Sequence, residues 1–389
     1  MLVGLDRQDI DGGRGLRRLL PGEQREGGGK RDQGSDERCI GMGGILSAAD
    51  NITFPEIPTM RLWRGVRSWL TRLCYAHDMD RLADRALRRL REMHFNHTVR
   101  AVLAAPPARA ADDGVVIFSM IGTRVLLPYL VAAKSLHARL GRGRFAILDD
   151  GTLTASDKAL LSVHLDSPEI RSITSVDIGK CPRGGCWERL LTLLELRRNN
   201  YVIQLDSDTV TLGPVGEIAT AIDAARDFTL RGEASSAWLP VSAFGANHFA
   251  LPAGAHVQMQ IEARMAEVAA VAGGLSHYVR GCAGFAGFAP GGLGRELADR
   301  FSQAASTALG AEVWAQWGSE QVMSNLYIAN EGEPVLLQYD RYLNFWNEPI
   351  GHEAAFVHFV GTYRYHGGAY AGSARAALAA LGAAERRAA

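Results

Sequence analysis

The 389-residue sequence has no excess charge of either sign, since 42 lysine and arginine residues balance 42 aspartate and glutamate residues. It therefore lacks the electrostatic signature of a protein whose main partner is nucleic acid. Cysteine is scarce, and its five residues are irregularly spaced, which predicts reduced thiols in an intracellular protein rather than a disulfide framework. The longest apolar stretch, residues 115–134, is interrupted by Arg124 and Pro128 and is not a transmembrane helix by its pattern.

The N-terminus lacks the apolar core of a signal peptide, so we expect a cytoplasmic protein. Residues 1–50, rich in glycine, arginine and aspartate, are predicted to be disordered. Residues 51–110 are predicted to form a basic helical appendage followed by a linker, because apolar residues recur there at helical spacing among many arginines. Such helices either pack on the main domain or rest on anionic lipid, and the second alternative makes residues 61–100 a peripheral membrane contact.

The composition, 47% apolar and 22% charged, is that of a soluble globular protein. From residue 114 onward, short β-branched runs alternate with helical patterns. Strands are predicted at 115–121, 145–148, within 170–178 and at 201–205, and helices at 128–140, 154–164 and 187–198. This alternation predicts an α/β domain over residues 111–372, with a mainly parallel central sheet flanked by helices. An alanine-rich helix or tail follows at 373–389.

Ligands of parallel α/β sheets bind beyond the carboxyl ends of the strands, so the polar residues that close each strand are the candidate site. Asp206 and Asp208 follow the strand at 201–205, and two carboxylates at this spacing can converge on one Mg²⁺ or Mn²⁺ ion. Asp149 and Asp150 end the second strand on the same edge, where a carboxylate either contacts a ligand or caps the turn at Gly151.

Several segments resemble glycosyltransferases of the GT-A fold, which use nucleotide sugars, and most closely family eight, the glycogenin and lipopolysaccharide galactosyltransferase type. The segments are YVIQLDSDTVTLGPVGEI at 201–218, WERL at 187–190, CAGF at 282–285, Glu320-Gln321, and HFVGTYR at 358–364. The segments follow the family's order, and the resemblance spans about residues 114–370. The sequence departs from the family pattern at Cys282, where asparagine is expected, at Arg364, where lysine is expected, and after the first strand, where no acidic residue follows.

The resemblance implies transfer of a sugar, with retention of configuration, from a nucleoside diphosphate sugar, most simply a UDP-sugar, to an acceptor hydroxyl on a saccharide, lipid or protein. It implies that Asp206, Asp208 and His358 hold the metal, for which imidazole suits Mn²⁺ at least as well as Mg²⁺. Donor contacts are expected from the residues at the strand ends and in the motifs, namely Thr123, Arg124, Asp149, Asp150, Arg189, Ser207, Ala283, Gly284, Gly361 and Arg364. Gln321 would flank the reacting face of the sugar, and Glu320 would be the base if the enzyme inverts instead.

Two other activities fit part of the pattern. Asp206 and Asp208 after a strand also resemble the nucleophile motif of haloacid-dehalogenase-like phosphatases, although no lysine follows the motif in this sequence. A sugar-nucleotide nucleotidyltransferase would use a glycine-rich basic loop after the first strand, for which Gly122 to Arg124 is a poor match. Trp314, Trp317 and Trp346 are candidates for an aromatic acceptor platform.

Overall fold

The computed structural model describes residues 84–245, 251–252 and 254–388, so the expectations for residues 1–83 lie outside the described residues. Residues from Arg88 onward form one compact unit. The strands are β1 Val115–Ile121, β2 Arg144–Asp149, β3 Glu169–Ser172, β4 Tyr201–Leu205, β5 Thr209–Thr211, β6 Phe228–Arg231, β7 Trp238–Pro240, β8 His277–Val279, β9 Gly281–Phe288, β10 Val335–Leu336, β11 Tyr342–Asn344 and β12 Phe356–His358. The α-helices are α1 84–99, α2 Leu126–Leu140, α3 Ala155–His164, α4 Trp187–Leu196, α5 Gly216–Asp223, α6 Val257–Glu262, α7 Met265–Ala272, α8 Arg295–Leu309, α9 Ala311–Trp314, α10 Ser319–Ala329 and α11 Ala369–Ala388.

The central sheet has seven strands in the order β10-β6-β9-β4-β1-β2-β3. Pairing is parallel between β1 and both β2 and β4, between β2 and β3, and between β6 and β10. Strand β9 is antiparallel to both of its neighbours, β4 and β6. The predicted fold class, an α/β domain with a mainly parallel central sheet flanked by helices, is confirmed.

The β-branched run of β1 is buried on both faces, as its composition predicts. Val115, Ile117 and Ile121 belong to the hydrophobic core on one side of the sheet, and Val116 and Phe118 belong to the core on the other side. Since successive side chains of a strand point to opposite faces, this alternation divides the apolar residues of one short run between two helical layers.

Helix α3 begins with a capping box at Thr154. The Thr154 hydroxyl accepts from the backbone N–H of Asp157, whose carboxylate accepts from the backbone N–H of Thr154. Strand β3 starts one residue earlier than the predicted segment and ends at Ser172. It stops there because the Ser172 hydroxyl accepts from the backbone of Thr174 and turns the chain into a 3₁₀ helix.

A small second sheet, in the order β11-β12-β5, lies next to the carboxyl end of β4. Strand β12 pairs antiparallel with β5, which places His358 opposite Thr209, and parallel with β11, which places His358 opposite Asn344. This sheet therefore carries a residue from late in the chain to the acidic turn between β4 and β5. No helix in the described part has both the length and the apolar character that crossing a membrane requires.

Candidate active site

Two aspartates and a histidine meet where β4 ends. The Nε2 atom of His358 lies 3.2 Å from Oδ1 of Asp208 and 4.0 Å from Oδ2 of Asp206. One ligand atom from each of the three residues lies within 4.8 Å of the others. Asp208 and His358 are buried, whereas Asp206 is about one-third exposed, so the group is reached from solvent on the side of Asp206.

The His358 ring is held from behind. Its Nδ1 atom lies 3.0 Å from Oδ1 of Asn344 and 3.3 Å from Sγ of Cys282. When Nδ1–H donates to the amide oxygen of Asn344, the Nε2 lone pair is left facing the two carboxylates. A Cβ atom at Gly284 would lie 2.2 Å from Cε1 of this ring, so the ring occupies space that only glycine leaves open.

Two arginines neutralise the aspartates. Nη2 of Arg364 lies 2.5 Å from Oδ2 of Asp208, and Nη1 of Arg189 donates to Asp206. Burial would raise the pKa of Asp208, but Arg364 and His358 hold it well below its usual value. Burial would lower the pKa of His358, but Cys282 and Asp208 raise it well above its usual value. Metal binding at Nε2 requires the neutral imidazole, because a proton and a metal ion compete for the same lone pair.

Glu320 lies behind Arg189 at the start of α10. Its Oε2 atom is 3.2 Å from Nη2 of Arg189, and Glu320 is only 2% exposed. Burial is the main reason why the pKa of Glu320 is raised, partly opposed by Arg189. Among the residues that the structure describes, its Oε1 is a buried oxygen with no hydrogen-bond partner. Such an atom is costly unless it serves a ligand or a proton transfer.

The peptide at Ala283 is held at both ends. Its N–H donates to Oε1 of Gln321 at 3.3 Å, and its carbonyl accepts from the buried side chain of Gln204. The carbonyl of the next residue, Gly284, accepts from the backbone N–H of Asp206 at 2.9 Å. This segment of β9 and the acidic turn after β4 are therefore hydrogen-bonded to each other, which brings Gln321 to the same end of the sheet as the three candidate ligands.

The predicted nucleoside contacts bond to residues of their own turns and of neighbouring helices. Oγ1 of Thr123 lies 2.6 Å from the Asp157 carboxylate, while Oδ1 of Asp149 and of Asp150 accept from the turn at residues 151–153. Lys158 lies 2.8 Å from the second carboxylate oxygen of Asp149. Arg124 is 85% exposed and contacts Glu92 of α1 at 3.4 Å. These residues line the carboxyl edge of β1 and β2, and these bonds do not join them to the aspartate and histidine group.

Three other residues that the sequence analysis singled out, Ser207, Gly361 and Trp314, have different surroundings. Ser207 sits between the two aspartates, and its carbonyl accepts from the Tyr370 hydroxyl at 3.2 Å. Gly361 begins the 3₁₀ turn after β12, with a positive φ of 40°. Trp314 is fully buried, 5.7 Å from the Trp187 ring between centroids, so it is a core residue and not an acceptor platform.

Sequence patterns did not reveal two side chains that organise the site. Asn344 orients His358, and Gln204 holds Ala283. A buried glutamine in an otherwise apolar strand was the visible signal for Gln204, because buried amides need partners. For Asn344 no local pattern exists, since its role arises from the pairing of β11 with β12.

The donor set fits a divalent cation. Two carboxylates and an imidazole suit Mn²⁺ or Mg²⁺, the second nitrogen of the imidazole is engaged by an amide oxygen, and the close contact at Gly284 keeps the ring in place.

No protein-family model and no curated protein matches the chain. Among solved structures it is similar to the bifunctional glycosyltransferase WbbM in its apo form, with 13% identity and a TM-score of 0.37 over 66% of this chain and 47% of that chain. It is also similar to the galactosyltransferase LgtC in complex with donor and acceptor sugar analogs, with 13% identity and a TM-score of 0.35 over 69% and 95% of the chains. The glycosyltransferase GlyE of Streptococcus pneumoniae shows 9% identity and a TM-score of 0.37 over 69% and 61%.

All three proteins are glycosyltransferases, the class that the sequence motifs resemble. The chain spans about half the length of WbbM. The likenesses are distant, and the side chains described above therefore carry the functional proposal.

Proposed function

We propose that this protein is a metal-dependent glycosyltransferase that moves a sugar from a nucleoside diphosphate sugar to an acceptor hydroxyl. The observation that carries the proposal is that Asp206 and Asp208 meet His358, which comes about 150 residues later in the sequence, with one ligand atom of each residue within 4.8 Å of the others. An oxygen-rich site with one imidazole, at the carboxyl end of a central parallel strand, is suited to a divalent ion that also binds a diphosphate.

A bound Mn²⁺ or Mg²⁺ would act as a Lewis acid for the diphosphate leaving group as the bond to the sugar breaks. Asp206, Asp208 and the neutral His358 would hold that ion. Arg189 and Arg364 already lie against the two aspartates, so each can offer its free N–H groups to phosphate oxygens. The planar fork of Arg364 can bond Asp208 and phosphate at once, which the lysine expected there cannot do in the same way.

The donor is proposed to be a UDP-sugar, with its nucleoside along the edge formed by Thr123, Arg124, Asp149 and Asp150. The sugar would lie beside Ala283 and Gly284 of β9, next to Gln321. Retention is the preferred outcome because Gln321 bonds to this segment, whereas Glu320 is buried and paired with Arg189. Acting as a base on an acceptor would require Glu320 to leave that ion pair.

A thermal-shift measurement tests the proposal. We expect UDP or a UDP-sugar to raise the melting temperature only when Mn²⁺ is present, because ligands that bind the folded state stabilise it. The same shift in an Asp208→Ala variant, or a shift that does not depend on metal, would contradict the metal assignment. Release of UDP from the stabilising UDP-sugar, measured with and without an added saccharide, then tests transfer itself.

The phosphatase alternative requires Asp206 to be a free nucleophile. Its carboxylate instead accepts a hydrogen bond from Arg189 and faces His358, an arrangement better suited to holding a cation. Release of inorganic phosphate from p-nitrophenyl phosphate would favour the phosphatase, and release of pyrophosphate from a nucleoside triphosphate and a sugar phosphate would favour the nucleotidyltransferase.

We also propose a peripheral membrane contact through α1. Leu90 and Met93 of this helix are 62% and 61% exposed, and Leu90 lies between Arg89 and Arg91. Exposed apolar side chains with basic neighbours suit an anionic lipid surface. Co-sedimentation with vesicles containing phosphatidylserine, compared for the wild-type protein and a Leu90→Ser/Met93→Ser variant, tests this contact, and equal sedimentation of the two would refute it.

A further inference from the structure

A line of hydrogen bonds leads from the backbone of Ala283 in β9 to a buried carboxylate on α6. The N–H of Ala283 donates to Oε1 of Gln321 at 3.3 Å, and Nε2 of Gln321 donates to Oε1 of Gln258 at 3.2 Å. Nε2 of Gln258 in turn donates to Oε1 of Glu262 at 3.0 Å. The line therefore joins three elements, β9, α10 and α6, through two amide side chains.

The direction of every bond in this line is determined by its two ends. A backbone N–H can only donate, and an ionised carboxylate can only accept, whereas an amide can do either. With Ala283 at one end and Glu262 at the other, both glutamines have one amide orientation that satisfies all three bonds. The reversed orientation of Gln321 would set its NH₂ group against the N–H of Ala283.

The carboxylate that closes the line is itself firmly held. Glu262 is 5% exposed, its two oxygens accept from Arg280, and the hydroxyl of the buried Tyr278 donates to Oε1 at 3.1 Å. The arginine supplies the opposite charge that a buried carboxylate requires, and the tyrosine supplies a further donor. Glu262 is thus a fixed acceptor of hydrogen bonds.

We infer that Glu262 and Gln258 are positioning residues that orient the amide of Gln321, so that its oxygen and not its nitrogen lies toward the backbone N–H of Ala283. The inference rests on the proposed function, in which Gln321 flanks the sugar of the donor. As the bond to the diphosphate breaks, positive charge develops at the sugar ring, and a carbonyl oxygen stabilises that charge whereas an NH₂ group opposes it. The orientation therefore matters for the transition state more than for binding of the donor.

Donor turnover tests the inference, measured as UDP release in Mn²⁺ from UDP-glucose, UDP-galactose and UDP-N-acetylglucosamine. In Glu262→Gln the new amide can donate toward Gln258, so Gln258 is free to reverse and only the N–H of Ala283 still fixes the orientation of Gln321. We expect kcat to fall about 3- to 10-fold, the range that one hydrogen bond supports, while KM changes less than about 2-fold. Gln258→Met, which removes the acceptor without leaving a buried charge unpaired, is expected to have the same effect if Glu262→Gln does not fold.

A double exchange distinguishes orientation from packing. In Gln258→Glu/Glu262→Gln the carboxylate moves to position 258, where it accepts from Gln321, and the amide at 262 can donate to it. We expect kcat to return to within about 3-fold of the wild-type value, because the bond to Gln321 is again an acceptor bond. A structural role of the cluster alone would not predict this recovery.

The matched control is Glu233→Gln. Oε1 of Glu233 lies 3.8 Å from Nη1 of the same Arg280, but on the exposed side and outside the line of bonds, so kcat should be unchanged. Wild-type kcat in Glu262→Gln and Gln258→Met, a loss confined to KM, or no recovery in the double exchange would overturn the inference while leaving the proposed function intact. Absence of UDP release by the wild-type protein would instead refute the proposed function, and the inference with it.

Discussion

The two halves of the candidate site are built in different ways. At the proposed metal end, Asp206 and Asp208 meet His358 from a distant part of the chain, and two arginines bond to the aspartates. At the proposed nucleoside end, Asp149 and Asp150 accept hydrogen bonds from the turn that follows them in sequence. Charged groups that converge from distant segments indicate a site for a highly charged ligand. Carboxylates that accept hydrogen bonds from their own turn instead fix the conformation of that turn.

The largest expected effect comes from the metal end. Asp208→Asn keeps the volume of the side chain but removes the charge that faces His358 and Arg364, so we expect Mn²⁺-dependent turnover to fall at least about 100-fold. Asp177→Asn is the control, because Asp177 is an exposed aspartate whose Oδ1 accepts from the Gly179 N–H in an ordinary turn. Comparable losses in both variants, measured as UDP release, would remove the distinction between the two kinds of aspartate.

Gly284→Ala perturbs the same end of the site without replacing a proposed metal ligand. The added methyl group would lie 2.2 Å from the His358 ring, so the ring must move away from the aspartates. Displacement of a ligand from its orientation typically weakens metal binding about 10- to 100-fold, measurable by titration of Mn²⁺ against protein stability or turnover. Gly372→Ala, on helix α11 with open space around the new methyl, should bind Mn²⁺ like the wild-type protein.

Asp227 extends the comparison, because this carboxylate is buried without the arginine and histidine contacts that Asp208 has. Burial raises the pKa of Asp227 to about 7, only partly opposed by Arg197, and Glu331 raises it further. Between about pH 4 and pH 7 the folded protein keeps a proton that the unfolded chain has released, so the free energy of unfolding falls as pH rises through this window.

We expect this fall to be of the order of 2 kcal/mol and to be absent in Asp227→Asn, as measured by urea unfolding at pH 4.5 and 7.5. The difference between the two proteins isolates Asp227 from other titrating groups. Parallel pH profiles would mean that Asp227 is ionised in the folded protein throughout the range.

The smallest effect is expected at the nucleoside end. Oδ1 of Asp150 accepts from both the backbone and the hydroxyl of Thr152, and Asp150→Asn keeps an oxygen there. We expect a loss of stability below about 1 kcal/mol and a change in UDP affinity below about 3-fold, measured by thermal melts with and without UDP and Mn²⁺. A larger loss of affinity would show that this carboxylate contacts the nucleoside directly.

Much of the fold could be predicted from local patterns. The mostly apolar runs of β1, β2 and β4 have no polar face, which is typical of strands covered on both sides, and the helices between them follow from the spacing of leucines. The position of Asp206 and Asp208 at the end of β4 followed from the same rule, since polar residues that close parallel strands lie on one edge. Trp314 was ambiguous because a tryptophan has the same chemistry in a core as on a platform.

The chain by itself determined which residues could bind a cation or a phosphate, because carboxylate, imidazole and guanidinium groups are properties of single residues. Tertiary structure alone decided which of them meet: the pairing of β12 with β5 brings His358 to Asp208, and the contact of Gly284 with the ring admits no larger residue. It also decided the orientation of Gln321, through Gln258 and Glu262 on a helix with no motif of its own. Such outcomes depend on distances between segments far apart in sequence, and local periodicity carries no information about those distances.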